Sequence, residues 1–292
     1  MTRNDFLVEK QLHKLDPDLH RRFANSIFLL PKLLSNYLVL FPEFTDHSET
    51  HSVAIIDYCN KLIGHDNLEH LNADELYVLL MGAYLHDVGM GVSEKDFQEF
   101  SEQVEFDSRI RDHENASMFD VTRAYHNDFS ACFIEKYSQL FDFPSEAHEF
   151  AVIQTARGHR KADLFDEAEY PAKLPLENGN TVCLPYLTAI VRLADEVNIE
   201  KDRNLLLTVD PSNVTTERQR LEFDKHEAVK KVTICEDRIE LDVQTDNPYL
   251  FGLISQLADK VQETLDYCVR VVDERTDFVI TQKKIQIVRP SA

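Results

Sequence analysis

The 292-residue chain has no apolar run approaching the roughly eighteen residues that a membrane span needs, and Asp5, Glu9 and Lys10 break up its first apolar pieces. Neither a membrane helix nor a signal peptide is read from it. Cysteine is sparse: Cys59, Cys132, Cys183, Cys235 and Cys268 are widely spaced, odd in number and form no CxxC pair. That argues against a disulfide frame or a zinc knuckle and for thiols in a reducing compartment, so the cytoplasm is the expected location. Basic residues are also short, 31 Lys and Arg against 52 Asp and Glu, for a formal net charge of -21. With no basic stripe and no recognition module, neither nucleic acid nor an anionic membrane is an expected partner. A small anionic substrate remains compatible, because bound cations and a few arginines can reverse the local potential.

What is present is a folding core, with 43% apolar residues and enough length for one larger domain and a smaller one. Residues 3–41 read as two helices, the second carrying Leu19, Phe23, Ile27, Leu30, Leu34 and Leu38 at three- and four-residue spacing. A third starts near Thr45 or Asp46 and runs through Cys59 and Leu62, and a fourth spans Asp74 to Asp87, where Gly89 and Gly91 let the backbone turn away. Residues 93–112 are charged and irregular, a loop or short helices over the site. Helical patterns return at 115–137 and 146–158, then after the polar stretch Asp163 to Asn180 at 184–198, which Pro185 can begin. Past about residue 203 the period changes. Val232, Ile234, Ile239, Leu241 and Val243 alternate around Glu236-Asp237 as in a hairpin, followed by a helix from Tyr249 to about Val271 and a strand from Phe278 to Val288. The expected fold is mainly α, with N-terminal helices (1–44) packing on a metal-binding helical domain (45–203), and a small α/β appendage (204–292).

The chemistry centres on Tyr84-Leu85-His86-Asp87-Val88-Gly89, a histidine and a carboxylate side by side at the end of an apolar helix pattern. His51 shares a stripe with Ile55, Tyr58 and Leu62; His86 follows Leu76, Leu79 and Ala83; His126 falls between Phe119 and Phe133; Asp195 follows Leu187 and Val191 at four-residue steps. Taken singly, His51 or His126 would be a satisfied core histidine, Asp195 a partner of Arg192, and His86-Asp87 a solvated helix end. Inward-facing carboxylates need compensation, however, and several such residues on separate helices point to one shared cation site. Nitrogen and oxygen ligands without thiolate suit manganese, iron, magnesium, cobalt, nickel or zinc.

The order His51, His86-Asp87, Asp195 resembles the HD superfamily of metal-dependent phosphohydrolases over about residues 20–200. The matching stretches are Thr45-Asp46-His47-Ser48-Glu49-Thr50-His51 at the opening of an early helix, the His-Asp pair at the end of another, and Arg192-Leu193-Ala194-Asp195-Glu196. The resemblance implies an HD-type helical bundle holding a divalent metal on His51, His86, Asp87 and Asp195, with His47, one turn away, as the alternative to His51. Arg123-Ala124-Tyr125-His126-Asn127-Asp128-Phe129-Ser130 and Ala156-Arg157-Gly158-His159-Arg160 resemble positions where further histidines line the site or hold a second ion. One ion and two ions both stay open, as does direct contact of His126 and His159 with phosphate; His113 is a weaker candidate at a loop or helix start. The implied activity is phosphate ester hydrolysis on a nucleotide or related substrate by a metal-activated water. Asp87 ligates or bridges, His126 or His159 protonates the leaving oxygen or stabilises its charge, and Arg123 with Arg157, Arg160 or Lys161 clamps phosphate. Two other classes compete: a nucleotide-binding sensor signalling through 204–292, and a diiron oxygenase on the same scaffold. A homodimer is the prior expectation for the assembly.

Overall fold

The computed structural model describes residues 6–29, 31, 49–107, 110, 116–199 and 217–289. Helix α1 (Leu7–Leu15) is followed by α2 (Pro17–Ile27), which Asp16 caps by accepting hydrogen bonds from the amides of Asp18 and Leu19. The expected second helix is shorter than its apolar pattern: α2 ends at Ile27, and Leu34 and Leu38 lie outside the described residues, as does the expected start of the next helix at Thr45 or Asp46. Helix α3 (Glu49–His70) is broken at Gly64, whose φ of 68° only glycine adopts without strain.

Helix α4 (Ala73–Leu85) is the axis of the fold. It starts at a capping box, Asn72 accepting from the Glu75 amide and the Glu75 carboxylate accepting from the Asn72 amide, both at 3.0 Å. From Asp74 to Leu85 every residue is buried, because helices α1, α2 and α3 and two later ones surround it. A helix apolar on all sides is stable only in such a position. It runs directly into a short 3-10 turn, Val88–Gly91, then α5 (Glu94–Ser101), capped by Ser93. Helix α6 (Met118–Lys136) packs on the 3-10 turn; α7 (Glu146–Arg157) and α8 (Leu184–Val197) pack on α4 and on each other.

The polar stretch between α7 and α8 holds a small hairpin that apolar alternation could not reveal, β1 (Leu174–Pro175) and β2 (Thr181–Val182). It is tied to the first turn of α4: Asp74 accepts from Asn178 and Asn180, Asn72 donates to the Thr181 carbonyl, and Glu75 accepts from the Cys183 amide. Asp74 also meets the ring of His148 at 2.8 Å, and His148 is held at its other nitrogen by Ser145, the cap of α7.

In the C-terminal part, α9 (Glu217–Ala228) precedes the hairpin β3 (Val229–Ile234) and β4 (Arg238–Val243), which turns at Glu236-Asp237 as expected. The long α10 (Pro248–Arg275) then carries the chain back to β5 (Lys284–Val288), parallel to β4. Helix α9 escaped the sequence reading because it is dominated by charge. The last strand is shorter than expected because Phe278 stacks on Tyr186 of the bundle at 4.1 Å and Gln282 bonds to the Cys235 carbonyl instead of continuing the ladder. Helix α10 lays Ile254, Ala258, Val261, Leu265 and Cys268 on one buried face and packs on α8. The fold is mainly helical with a small α/β part at its C-terminal end; both expected boundaries, at 44 and 203, fall outside the described residues. Among the described residues no single helix is long and apolar enough to cross a membrane.

Candidate metal centre

The C-terminal end of α4 meets three other helix ends and the middle of α6. His51 comes from the first turns of α3, His86 and Asp87 from the junction of α4 with the 3-10 turn, His126 from the middle of α6, His159 from just beyond α7, and Asp195 from the last turn of α8. Asp87 sits at φ -103° and ψ 6°, the sparsely populated bridge region between helix and strand. Gly89 is needed for close approach rather than for the turn expected of it: a side chain there would collide with the His126 carbonyl and the backbone of Phe129 and Ser130. The hydroxyl of Ser130 locks the same junction, accepting from the Gly89 amide at 2.8 Å and donating to the His86 carbonyl at 2.6 Å. Helix α6 leaves helical geometry at Tyr125, immediately before His126, where the Tyr125 hydroxyl is held by Asp107.

Asp87 is the hinge of the cluster. Its Oδ2 lies 3.3 Å from His51 Nε2 and 3.2 Å from His86 Nε2, while its Oδ1 lies 3.4 Å from His126 Nε2 and 3.8 Å from His159 Nε2. Asp195 Oδ1 adds to the first group, 3.4 Å from His51 and 4.0 Å from His86. Two triads result, His51-His86-Asp87 and Asp87-His126-His159, each with ligand atoms close enough to share an ion, and all five residues buried. Asp195, with 19% of its side chain exposed, is where the cluster reaches solvent.

The tautomers show that the centre suits a cation. His86, His126 and His159 each direct Nδ1 to the carbonyl three residues before them, Ala83, Arg123 and Ala156, at 2.7, 2.8 and 2.6 Å. A carbonyl only accepts, so Nδ1 carries the proton and Nε2 presents a lone pair to the cluster. His51 differs: its Nδ1 accepts from the side-chain amide nitrogen of Asn198 at 2.9 Å, so its proton lies on Nε2, toward the cluster, and must leave before that nitrogen can ligate. Nε2 atoms face each other at 3.2 Å between His51 and His86, where the His51 proton lies between them, and at 3.1 Å between His126 and His159, where both present lone pairs. Lone pairs at that distance repel unless a proton or a cation lies between them. Burial pushes His126 well below its ordinary range and, with the charge of His86, takes His159 down to about 4, so a proton is disfavoured there. Burial would also lower His86, but Asp87 and Asp195 outweigh it and raise it to about 9. Neutral imidazoles present the Nε2 lone pairs that ligation requires.

The basic residues divide. Arg123 is half-buried one turn before His126. Arg157, expected to clamp phosphate, pairs here with Asp128 at 3.0 Å and Glu169 at 2.8 Å, ties that link α7 to its neighbours. Arg160 and Lys161 are exposed next to His159, and the charge of Arg160 is felt at His126. His47 and His113 lie outside the described residues. Arg192 does not pair with Asp195; its guanidinium donates to the carbonyls of Gly158 and Ala162, fixing the turn that presents His159. The sequence reading passed over Asn198 and Ser130 as supports of the centre, because a single polar residue near a helix end carries no periodic signal.

The HD-CE family model matches residues 41–277, more than three quarters of the chain. The chain belongs to the HD-CE family. The six clustered side chains all lie within the match, which continues through β3, β4 and α10, so the HD-CE region takes in the helical bundle and most of the C-terminal part. It starts later than residue 20 but runs well past residue 200, where the legible HD resemblance ended, and its HD-like character agrees with a buried His/Asp group fit for a metal. No curated protein and no solved structure matches the chain.

Proposed function

We propose that the centre binds two divalent cations bridged by Asp87 and hydrolyses a phosphate ester, a nucleotide in the first instance. The observation that carries this reading is the division of the Asp87 carboxylate, one oxygen toward each histidine pair. A bound cation pair supplies a water ionised near neutral pH and positive charge to offset that of the phosphoryl oxygens. The chain provides the rest. The Nδ1–H bonds to helix carbonyls hold His86, His126 and His159 in one orientation, and the 3-10 turn holds Asp87 against α6. Asp195 stands at the exposed edge, the side from which a substrate reaches the cluster, and Arg123, one turn before His126, is the residue we assign to donate hydrogen bonds to its phosphate.

The test is release of phosphate or nucleoside from a panel of nucleotides and simple phosphodiesters, with manganese, iron, magnesium, cobalt or nickel added, by the wild type and by Asp87→Ala. Metal-dependent turnover that falls about 10³-fold in the variant is expected, the scale seen when a principal stabiliser of transition-state charge is removed. Binding without turnover under every metal would instead support a sensor, and dioxygen consumption with tightly held iron would support an oxygenase.

A further inference from the structure

Resting on the phosphohydrolase reading, we propose that the substrate carries a second phosphate, bound in a cationic groove between the metal centre and helix α10. The groove has a volume of about 480 Å³ and is lined by Arg160, Lys161, Arg192, Lys260, Glu263 and Tyr267, among others. Three short stretches of chain join it to the centre. Arg160 and Lys161 directly follow His159. Arg192 lies one turn before Asp195, and Lys260 of α10 pairs at 2.6 Å with Glu196, the neighbour of Asp195. Arg160, Lys161 and Arg192 of the lining thus neighbour His159 and Asp195 along the chain.

Its cations stand out in a chain of net charge -21. Among the described residues, neither Arg160 nor Lys161 forms a side-chain ion pair, whereas Arg157 in the same turn is engaged by two carboxylates. The turn is also built rather than loose. Asn127, next to His126, donates to the carbonyls of Arg157 and Arg160, and Arg192 holds those of Gly158 and Ala162 from the other side. Lys161 is kept at φ 61°, the left-handed region that side chains other than glycine and asparagine seldom occupy. Two unpaired cations held in a fixed, strained turn beside a metal centre suit a phosphate, which takes several charge-assisted hydrogen bonds at once. Two carboxylates in the lining oppose these cations, Glu263 and Asp163, the latter accepting from the Tyr267 hydroxyl at 3.0 Å, so the four cations Arg160, Lys161, Arg192 and Lys260 outnumber them. The C-terminal part, through α10, thus forms part of the substrate site.

The experiment is equilibrium binding of AMP, ADP and adenosine 3′,5′-bisphosphate to the manganese-loaded protein, metal in excess, for wild type, Arg160→Ala/Lys161→Ala and Lys260→Ala. The expected result is that ADP or the bisphosphate binds wild type at least tenfold more tightly than AMP, that the double substitution removes this preference, and that Lys260→Ala reduces it. Lys260 is 62% exposed, so its replacement probes the groove even if the strained turn were to refold. Equal binding of all three ligands by wild type, or a preference unchanged in both variants, would overturn the proposal. Turnover is measured separately on the same samples. A preference without turnover removes the hydrolase reading and leaves the groove standing; turnover without a preference does the reverse.

Discussion

A buried carboxylate with four imidazole nitrogens between 3.2 and 3.8 Å away favours positive charge among them. Around Asp87 that charge cannot come from His126 or His159, which burial keeps neutral, and the proton that Asp87 and Asp195 favour on His86 must leave before a metal binds. Because His86 titrates near 9 without metal, metal loading at pH 7 releases a proton from it, and affinity rises with pH up to about that value. Calorimetry in buffers of different ionisation enthalpy measures the release; metal uptake independent of buffer and pH would contradict it. The support shell is testable as well: Asn198→Ala, which frees the His51 ring, is expected to weaken metal binding about 10–100-fold without unfolding the chain, read by competition with a chelating dye. Three of the clustered residues, His51, His86 and Asp195, stood out in the sequence because each falls in register with Ile55, Leu79 or Val191 on an apolar stripe, whereas His159 was suggested by the HD resemblance alone. Asn198 and Ser130 violate no such stripe, and the role of Arg157 depends on Asp128 and Glu169, twenty-nine and twelve residues away.

At the level of elements, the centre depends on how closely α6 can approach the end of α4. Gly89 sets that distance, so Gly89→Ala should destabilise the protein by about 1–3 kcal/mol, as overpacking does, and should loosen metal binding because Asp87 and His126 are driven apart; chemical denaturation and metal titration together read both. At the other end of α4, burial would raise the Asp74 carboxyl, but donors from His148, Asn180 and Asn178 outweigh it and hold it below the ordinary carboxylate range. A depressed carboxyl contributes stability that is full above its unfolded pKa of about 3.9 and is lost as pH falls through the folded value. Urea unfolding between pH 6 and 3 should therefore show an acid loss that Asp74→Asn makes shallower, while the variant is less stable at pH 6. Helix positions and the β3-β4 hairpin followed from apolar spacing, whereas β1-β2 and α9 did not: the first is held by side-chain bonds to Asn72, Asp74 and Glu75, and the second carries mostly charge.

Across the whole molecule, the strong negative charge and the buried cluster act together. Excess carboxylate disfavours anionic ligands in general, and the groove where Arg160, Lys161 and Lys260 gather offsets it locally. Helix α10 belongs to that surface while packing on α8, which carries Asp195, so the metal centre and the C-terminal part share one structural support. Metal held at 100 times its dissociation constant adds about 2.7 kcal/mol to folding stability, and chelation should lower Tm in the wild type but not in Asp87→Ala. The most direct test of a cation pair bridged by one carboxylate is manganese titration followed by electron paramagnetic resonance. Two ions per chain with a spin-coupled signal, lost in Asp87→Ala, is the predicted result; a single uncoupled ion at saturation in the wild type would contradict it.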